Sequence, residues 1–246
     1  MPTAWEDVPC PAMNLCYGGI RILDACIREI VAWPEGLAAQ VKELYERSFP
    51  PAERHDFARI RGITEEQGEA RGLHVLTAVD GDILLGLSIV RHLAEASLGY
   101  LWYLCVDEAA RGSGIGGRLY QRTLEVLRED ARACGRGLKG MIFEVERLDS
   151  EPHATYGDPI RRVKFYERLG ARLILGYDYW QPPIPPHGPV PLQLMFHPLG
   201  LEECTEEELA RIVSDFLRFG QGVEDADVNP ASLRLALLTD IKGGVK

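Results

Sequence analysis

The chain has 246 residues, 46% hydrophobic and 26% charged, with a formal net charge of −10. That length suffices for one well-buried core, or one core with an appended segment. The acidic balance comes without the basic stripe of a nucleic-acid binder, while an acidic surface attracts cationic partners such as amines. No apolar run approaches the length of a membrane span. The acidic start MPTAWEDVPCPAMNLCYGG lacks the basic and apolar regions of a signal peptide. A cytoplasmic protein with no membrane or nucleic-acid partner is expected. Cys10, Cys16, Cys26, Cys105, Cys134 and Cys204 form no C-x-x-C pair, as in a reducing compartment. The scattered histidines include no H-E-x-x-H, so no metal site is expected.

In chain order, IRILDACIREIVAW (20–33) alternates loosely and predicts a first strand. Pro34 then opens a helical pattern with apolar positions at Leu37, Val41, Leu44 and Tyr45. A second short helix is predicted in PPAERHDFARI after the Pro-Pro break. Two β-rich runs flank Asp80-Gly81, a hairpin turn signal, and LGYLWYLCV (98–106) is a third such run, the fourth predicted strand of the chain. After a glycine-rich segment, residues 116–135 are helical, with Leu119, Thr123, Val126, Leu127 and Ala131 on one face and Gly135 as stop. LKGMIFEVE (138–146) is a strand, and strand, turn, helix and strand in succession favour parallel pairing. A helix in DPIRRVKFYERLGA ends at Gly170, and strands follow in RLILGYDYW and VPLQLMFHP. From about residue 201 the pattern becomes an acidic-capped amphipathic helix, TEEELARIVSDFLRFG, then a predicted short helix in NPASLRLALLTDI.

Gly112, Gly114 and Gly117 match G-x-G-x-x-G, the dinucleotide fingerprint. That reading fits poorly. Residues 107–111 separate the strand from the first glycine, and three strands already precede it. No lysine follows the glycines, so a Walker P-loop fails as well. R-x-x-G-x-G, from Arg111 through Gly114 to Gly116, fits better. Glycines let backbone N–H groups approach a phosphate, the following helix aims its positive end there, and Arg111 adds a cation.

On these residues the chain resembles the GCN5-related N-acetyltransferase (GNAT) superfamily. LCVDEAARGSGIGGRLYQRTLEVL resembles its motif A, [QR]-x-x-G-x-[GA], and IRRVKFYERLGARLI resembles its later helix-to-strand segment. The order of predicted elements agrees over about residues 20–199. The resemblance implies an α+β fold: a mixed, mostly antiparallel sheet, splayed between its fourth and fifth strands and flanked by helices. On this reading residues 1–19 are an N-terminal extension, 20–199 the acetyltransferase domain, and 200–246 a helical C-terminal extension. That last segment is open to three roles: covering the site, making a homodimer contact, or packing on the core.

The resemblance also implies acyl transfer from acetyl-CoA to a primary amine on a small molecule or peptide. The backbone of Leu104, Cys105 and Val106 would pair with the pantetheine arm. The turn of Arg111, Gly112, Ser113, Gly114, Ile115, Gly116 and Gly117 would hold the pyrophosphate. The amine must lose a proton, the oxyanion needs a backbone donor, and the departing thiolate benefits from an acid. Tyr166 matches the superfamily's usual acid. Glu144 and Glu146 share one face of a predicted internal strand and could bind or deprotonate a cationic amine, or could open to solvent. Glu53 and Asp56 fall where the superfamily shapes its acceptor site. Tyr100 and Trp102 share a strand face, as core or as pocket wall. Cys105 reads as a buried cysteine rather than an acyl carrier. Two rival functions share these features: a non-catalytic acyl-CoA-binding module, and transfer of a longer acyl chain.

Overall fold

The computed structural model describes residues 25–65, 72–150, 157–201, 204–224, 226 and 228–242. The extension 1–19 with Cys10 and Cys16, the start of the first predicted strand, and His153 lie outside these residues.

Strand β1 (Cys26–Glu29) is followed by helix α1 (Glu35–Ser48), which starts directly after Pro34 and buries Leu37, Val41, Leu44 and Tyr45. The Pro-Pro segment forms only a 3-10 turn, Pro51–Glu53. Helix α2 (Phe57–Glu65) begins later than the proline signal suggests. Asp56 sets that start, because its side chain accepts a hydrogen bond from Ala58 N at 2.9 Å. Strands β2 (Leu73–Asp80) and β3 (Ile83–Leu93) pair with Asp80 opposite Ile83. The two-residue loop is therefore Gly81-Asp82, one step beyond the predicted pair, and Gly81 takes the left-handed first position at φ +55°.

Strand β4 (Leu98–Val106) runs antiparallel to β3, with Tyr103 opposite Ile89 and Leu101 opposite Val90. Trp102 is thus surplus, a β-bulge. Helix α3 (Ile115–Ala133) returns the chain to β5 (Gly140–Glu146), which pairs parallel with β4 at Leu98, Gly99 and Tyr100. Helix α4 (Pro159–Arg168) is capped by Asp158, whose carboxylate accepts from Ile160 N at 2.8 Å. The run RLILGYDYW divides into β6 (Arg172–Leu175) and the short β7 (Trp180–Gln181). Strand β8 (Val190–Pro198) inserts between β5 and β6, and β7 pairs on β8.

Helix α5 (Glu206–Asp215) is capped by Thr205 and runs into a wide helical turn, Phe216–Gly220. The helix predicted over 229–241 forms only at its ends, as a 3-10 turn (Pro230–Ser232) and α6 (Leu238–Lys242). Between them, β9 (Arg234–Ala236) pairs with β6. The reason is tertiary: β6 would otherwise present an open edge. The sheet runs β1-β2-β3-β4-β5-β8-β6-β9. One face packs on α3 and α4 through Leu119, Leu127, Phe143 and Val163. The other face is shared. α1 and α2 cover β2–β4 through Val41, Leu44 and Ile60, while α5 and the wide turn cover β4, β5 and β8 through Leu209, Ile212 and Phe216.

Candidate active site

The β4–β5 ladder stops after Tyr100 and Ile142. Beyond it the two strands diverge, and the β5-facing edge of residues 101–106 makes no ladder bond to β5. The split begins beside the Trp102 bulge, and a bulge bends its strand and sharpens the twist. A cleft of about 730 Å³ fills the opening, between β4, the glycine turn, β5 and α4. Leu104, Cys105 and Val106 line it.

At one end lies the glycine turn. Gly112 (φ +82°) and Gly114 (φ +87°) are left-handed, a conformation costly to other residues. Gly114 is the N-cap of α3 and supplies no side-chain cap, so the first N–H groups of the helix stay available to an anion. At Gly116 a Cβ would sit 3.3 Å from the Phe165 ring. Arg111, Gly112, Gly114, Ile115, Gly116 and Gly117 line the cleft. Ser113 does not; its hydroxyl donates back to Ala110 O at 2.6 Å. Arg161, Arg162, Lys164 and Arg168 of α4 join Arg111 at the cleft. A chain of net charge −10 without a basic stripe in its sequence order therefore concentrates cations at one place in the fold. The signal was present in RRVKFYER, where Arg161, Lys164 and Arg168 recur at helical spacing.

Carboxylates gather at the other end. Glu144, half-buried, accepts hydrogen bonds from Tyr100 Oη (2.8 Å), Tyr179 Oη (2.6 Å) and Gln221 Nε2 (2.9 Å). Burial raises its pKa, and these three bonds oppose the rise without cancelling it. Glu146, on the same strand face, is ion-paired with Arg162. Glu53 lines the cleft from the 3-10 turn, with its carboxyl pushed up by burial first and by Glu144 as well, against the pull of Arg162. Its backbone is held in place: Tyr103 Oη donates to Glu53 O (3.4 Å) and accepts from His55 N (3.0 Å). Asp56 is exposed at the α2 cap, away from the cleft lining.

Tyr100 and Trp102 share a face, with ring centroids 6.0 Å apart. Trp102 lines the cleft, whereas Tyr100 reaches it through Glu144. Tyr166 lines the cleft from α4, its ring 4.5 Å from that of Phe143. Burial pushes its hydroxyl up to about 12, so at neutral pH it keeps its proton. Burial likewise pushes the Cys105 thiol up to about 12. Sequence reasoning did not find Tyr179, Gln221 or Arg162. Tyr179 and Gln221 come from segments with no chemical motif, and the fold alone brings them to β5.

Residues 38–149 match the model of the Acetyltransferase (GNAT) family. Among solved structures, a protein described as a GNAT-family acetyltransferase from Bacteroides thetaiotaomicron is 24% identical. It covers 79% of this chain and 98% of its own, with a TM-score of 0.58. That likeness shows the fold. The ribosomal-protein-S18-alanine N-acetyltransferase from Escherichia coli is 15% identical over 73% of this chain and 96% of its own, with a TM-score of 0.48. An acetyltransferase from Salmonella typhimurium, solved with its cofactor acetyl-CoA, is 17% identical over 73% and 96%, with a TM-score of 0.47. No curated protein matches the chain. Among the described residues, no helix is long and apolar enough to cross a membrane.

Proposed function

We propose that the chain is an N-acetyltransferase that takes its acetyl group from acetyl-CoA and places it on a primary amine entering as a cation. One observation carries the reading. The cleft between β4 and β5 has a cationic glycine turn at one end and, at the other, a carboxylate whose hydrogen-bond donors among the described residues are neutral.

The residues present fit an acyl-CoA. In the turn from Arg111 to Gly117, the N–H groups of Gly112 and of residues 114–117, with the Arg111 side chain, Arg161, Lys164 and Arg168, suit its phosphates, while the Arg111 and Ser113 N–H groups bond within the turn. The free edge of Leu104, Cys105 and Val106 suits the amide-bearing pantetheine arm. Acetyl-CoA supplies the acyl group as a thioester. At the acceptor end, Glu53, Glu144 and the Trp102 wall receive the ammonium group. Glu144 takes the proton that the amine must lose before its lone pair can attack. Burial makes this carboxylate a better base than a solvated one. Glu146 is less suited to that task, because Arg162 neutralises it. The new C–N bond forms as the C–S bond breaks; Tyr166, protonated at neutral pH, donates its hydroxyl proton to the departing sulfur and regains one from the nitrogen, which sheds its second proton as it becomes an amide. A thiol held up near 12 leaves Cys105 protonated, which favours direct transfer over an acyl-cysteine route.

A thiol-release assay with acetyl-CoA across a panel of primary amines tests the proposal, with Arg111→Ala/Gly114→Glu as the donor-site control. Thiol release with at least one amine, lost in the control and in Glu144→Gln, is the expected result. Acetyl-CoA binding without thiol release from any amine would instead mark a non-catalytic binding module. A better rate with longer acyl-CoA chains would reassign the donor.

A further inference from the structure

Gln221 stands well outside the stretch that matches the acetyltransferase family, yet its amide reaches the centre of the cleft's acceptor end. The wide turn Phe216–Gly220 puts it there. Its main-chain N–H bonds back as far as Phe216 O, five residues earlier, so the last helical turn is opened by one residue. Such widened turns re-aim the side chain that follows. Gly220 lets the turn close, since a Cβ at that position would lie 3.0 Å from the Phe216 ring. Phe216 in turn packs its ring 4.9 Å from Tyr100 and 6.0 Å from Tyr179, the two tyrosines that bind Glu144.

The hydrogen-bond directions follow from chemistry. An ionised carboxylate only accepts, so the Gln221 atom beside Glu144 must be the NH₂. One of its hydrogens goes to Glu144 Oε1 at 2.9 Å and the other to Tyr100 Oη at 2.8 Å. Tyr100, now an acceptor from Gln221, spends its own proton on Glu144 Oε2 at 2.8 Å. Tyr179 donates to Oε1 at 2.6 Å. Oε1 therefore holds two donors and Oε2 one, which leaves Oε2 the oxygen with room for a substrate proton.

We propose that Gln221 is a positioning residue: it fixes the orientation of the Glu144 carboxylate and of Tyr100, so that the segment after residue 200 completes the acceptor half of the site. The proposal rests on the acceptor-side role given to Glu144 above. The other groups that act on Glu144 are Tyr100 and Tyr103 of β4, Tyr179 and Glu53, with the Glu146–Arg162 pair farther along β5.

The deciding measurement is a ¹³C NMR titration of glutamate carboxyl groups in the full chain, with Glu144→Gln assigning the Glu144 signal. Gln221→Leu removes the amide at similar volume, and Tyr179→Phe removes the other Oε1 donor while keeping the ring on Phe216. Each loses a donor that favours the charged carboxylate, so the Glu144 midpoint should rise by about one pH unit, the tenfold effect of losing a hydrogen bond to a charged group. With the most active amine of the panel, the acidic limb of kcat/KM should move up by the same amount, and the KM for acetyl-CoA should stay unchanged. A purely structural role would lower the thermal midpoint without moving either titration. An unmoved Glu144 midpoint in both variants overturns the proposal. A moved midpoint combined with full turnover in Glu144→Gln upholds the positioning and sinks the acceptor-side reading instead.

Discussion

His74 on β2 stands between two carboxylates. Its Nδ1 lies 2.7 Å from Glu29 Oε1 on β1, and its Nε2 lies 2.8 Å from Asp130 Oδ2 on α3. Both contacts require a donor, so the ring is doubly protonated. Burial opposes that charge, but the two bonds and the two negative charges outweigh it and carry the pKa from 6.5 to about 9. A histidine whose folded pKa exceeds its unfolded value stabilises fully below the unfolded value, near 6.5. It loses that contribution as the pH climbs through about 9. The gap corresponds to about 3 kcal/mol at 1.36 kcal/mol per pH unit. Glu29 and Asp130 are 35% and 25% exposed, so solvent screening reduces this to about 1.5–3 kcal/mol. For a chain of this size that is roughly 3–12 °C in Tm. Thermal unfolding followed by circular dichroism at pH 6 and pH 10 would measure it, with His74→Leu in parallel. The parent should lose this increment between the two pH values, whereas His74→Leu should be less stable at pH 6 and lose correspondingly less. Parallel falls in both proteins would refute the ion-triad argument. His92, whose Nδ1 is 3.9 Å from Asp130, has its pKa lowered by burial, against the pull of Asp130.

Two further predictions concern the cleft. Tyr166→Phe keeps the ring against Phe143 and removes the acid. Turnover should fall at least about tenfold, with acetyl-CoA affinity little changed, and undiminished turnover under saturating substrates would dismiss the assignment. Gly114→Ala forces a Cβ into φ +87° at the α3 N-cap. Its cost is about 1–2 kcal/mol, seen as a lower Tm and roughly tenfold weaker acetyl-CoA binding by calorimetry; unchanged values in both would mean the turn tolerates a side chain.

How much of this was legible in the sequence depends on the range of the interactions involved. Elements governed by local chemistry were: the Pro34 helix start, the stop at Gly135, and the acidic first turn of α5. The glycine turn belongs with them, because positive φ and a bare N-cap are properties of a few adjacent residues. Pairing across the sheet was not legible. Leu235 and its neighbours read as helix because nothing nearby reveals the open edge of β6 that recruits them as β9. The acceptor end was half visible. Glu144 and Glu146 are equivalent by strand periodicity, and only the reach of Arg162 from α4 to one, and of Gln221 and Tyr179 to the other, separates a neutralised carboxylate from an unneutralised one. The cation cluster escaped notice because its members, Arg111 and the α4 stripe, lie some fifty residues apart in the chain.

The bulge at Trp102 has a simple arithmetic. Side chains alternate along a strand, so one surplus residue reverses the alternation. Trp102 and Tyr103 both pack on the α1 side, after which Leu104 and Val106 fall to the α3 side and Cys105 to the α1 side. Leave Trp102 out of the count, and Leu101, Tyr103, Leu104, Cys105 and Val106 alternate without a fault between the two cores. The hydrophobic pattern of β4 is thus that of an ordinary continuous strand into which a single residue has been inserted. Substitutions elsewhere reshape the walls of the opening. Loss of one codon, at position 102, would leave the core side chains from Leu101 to Val106 each on its own side and give β4 a regular register on β3.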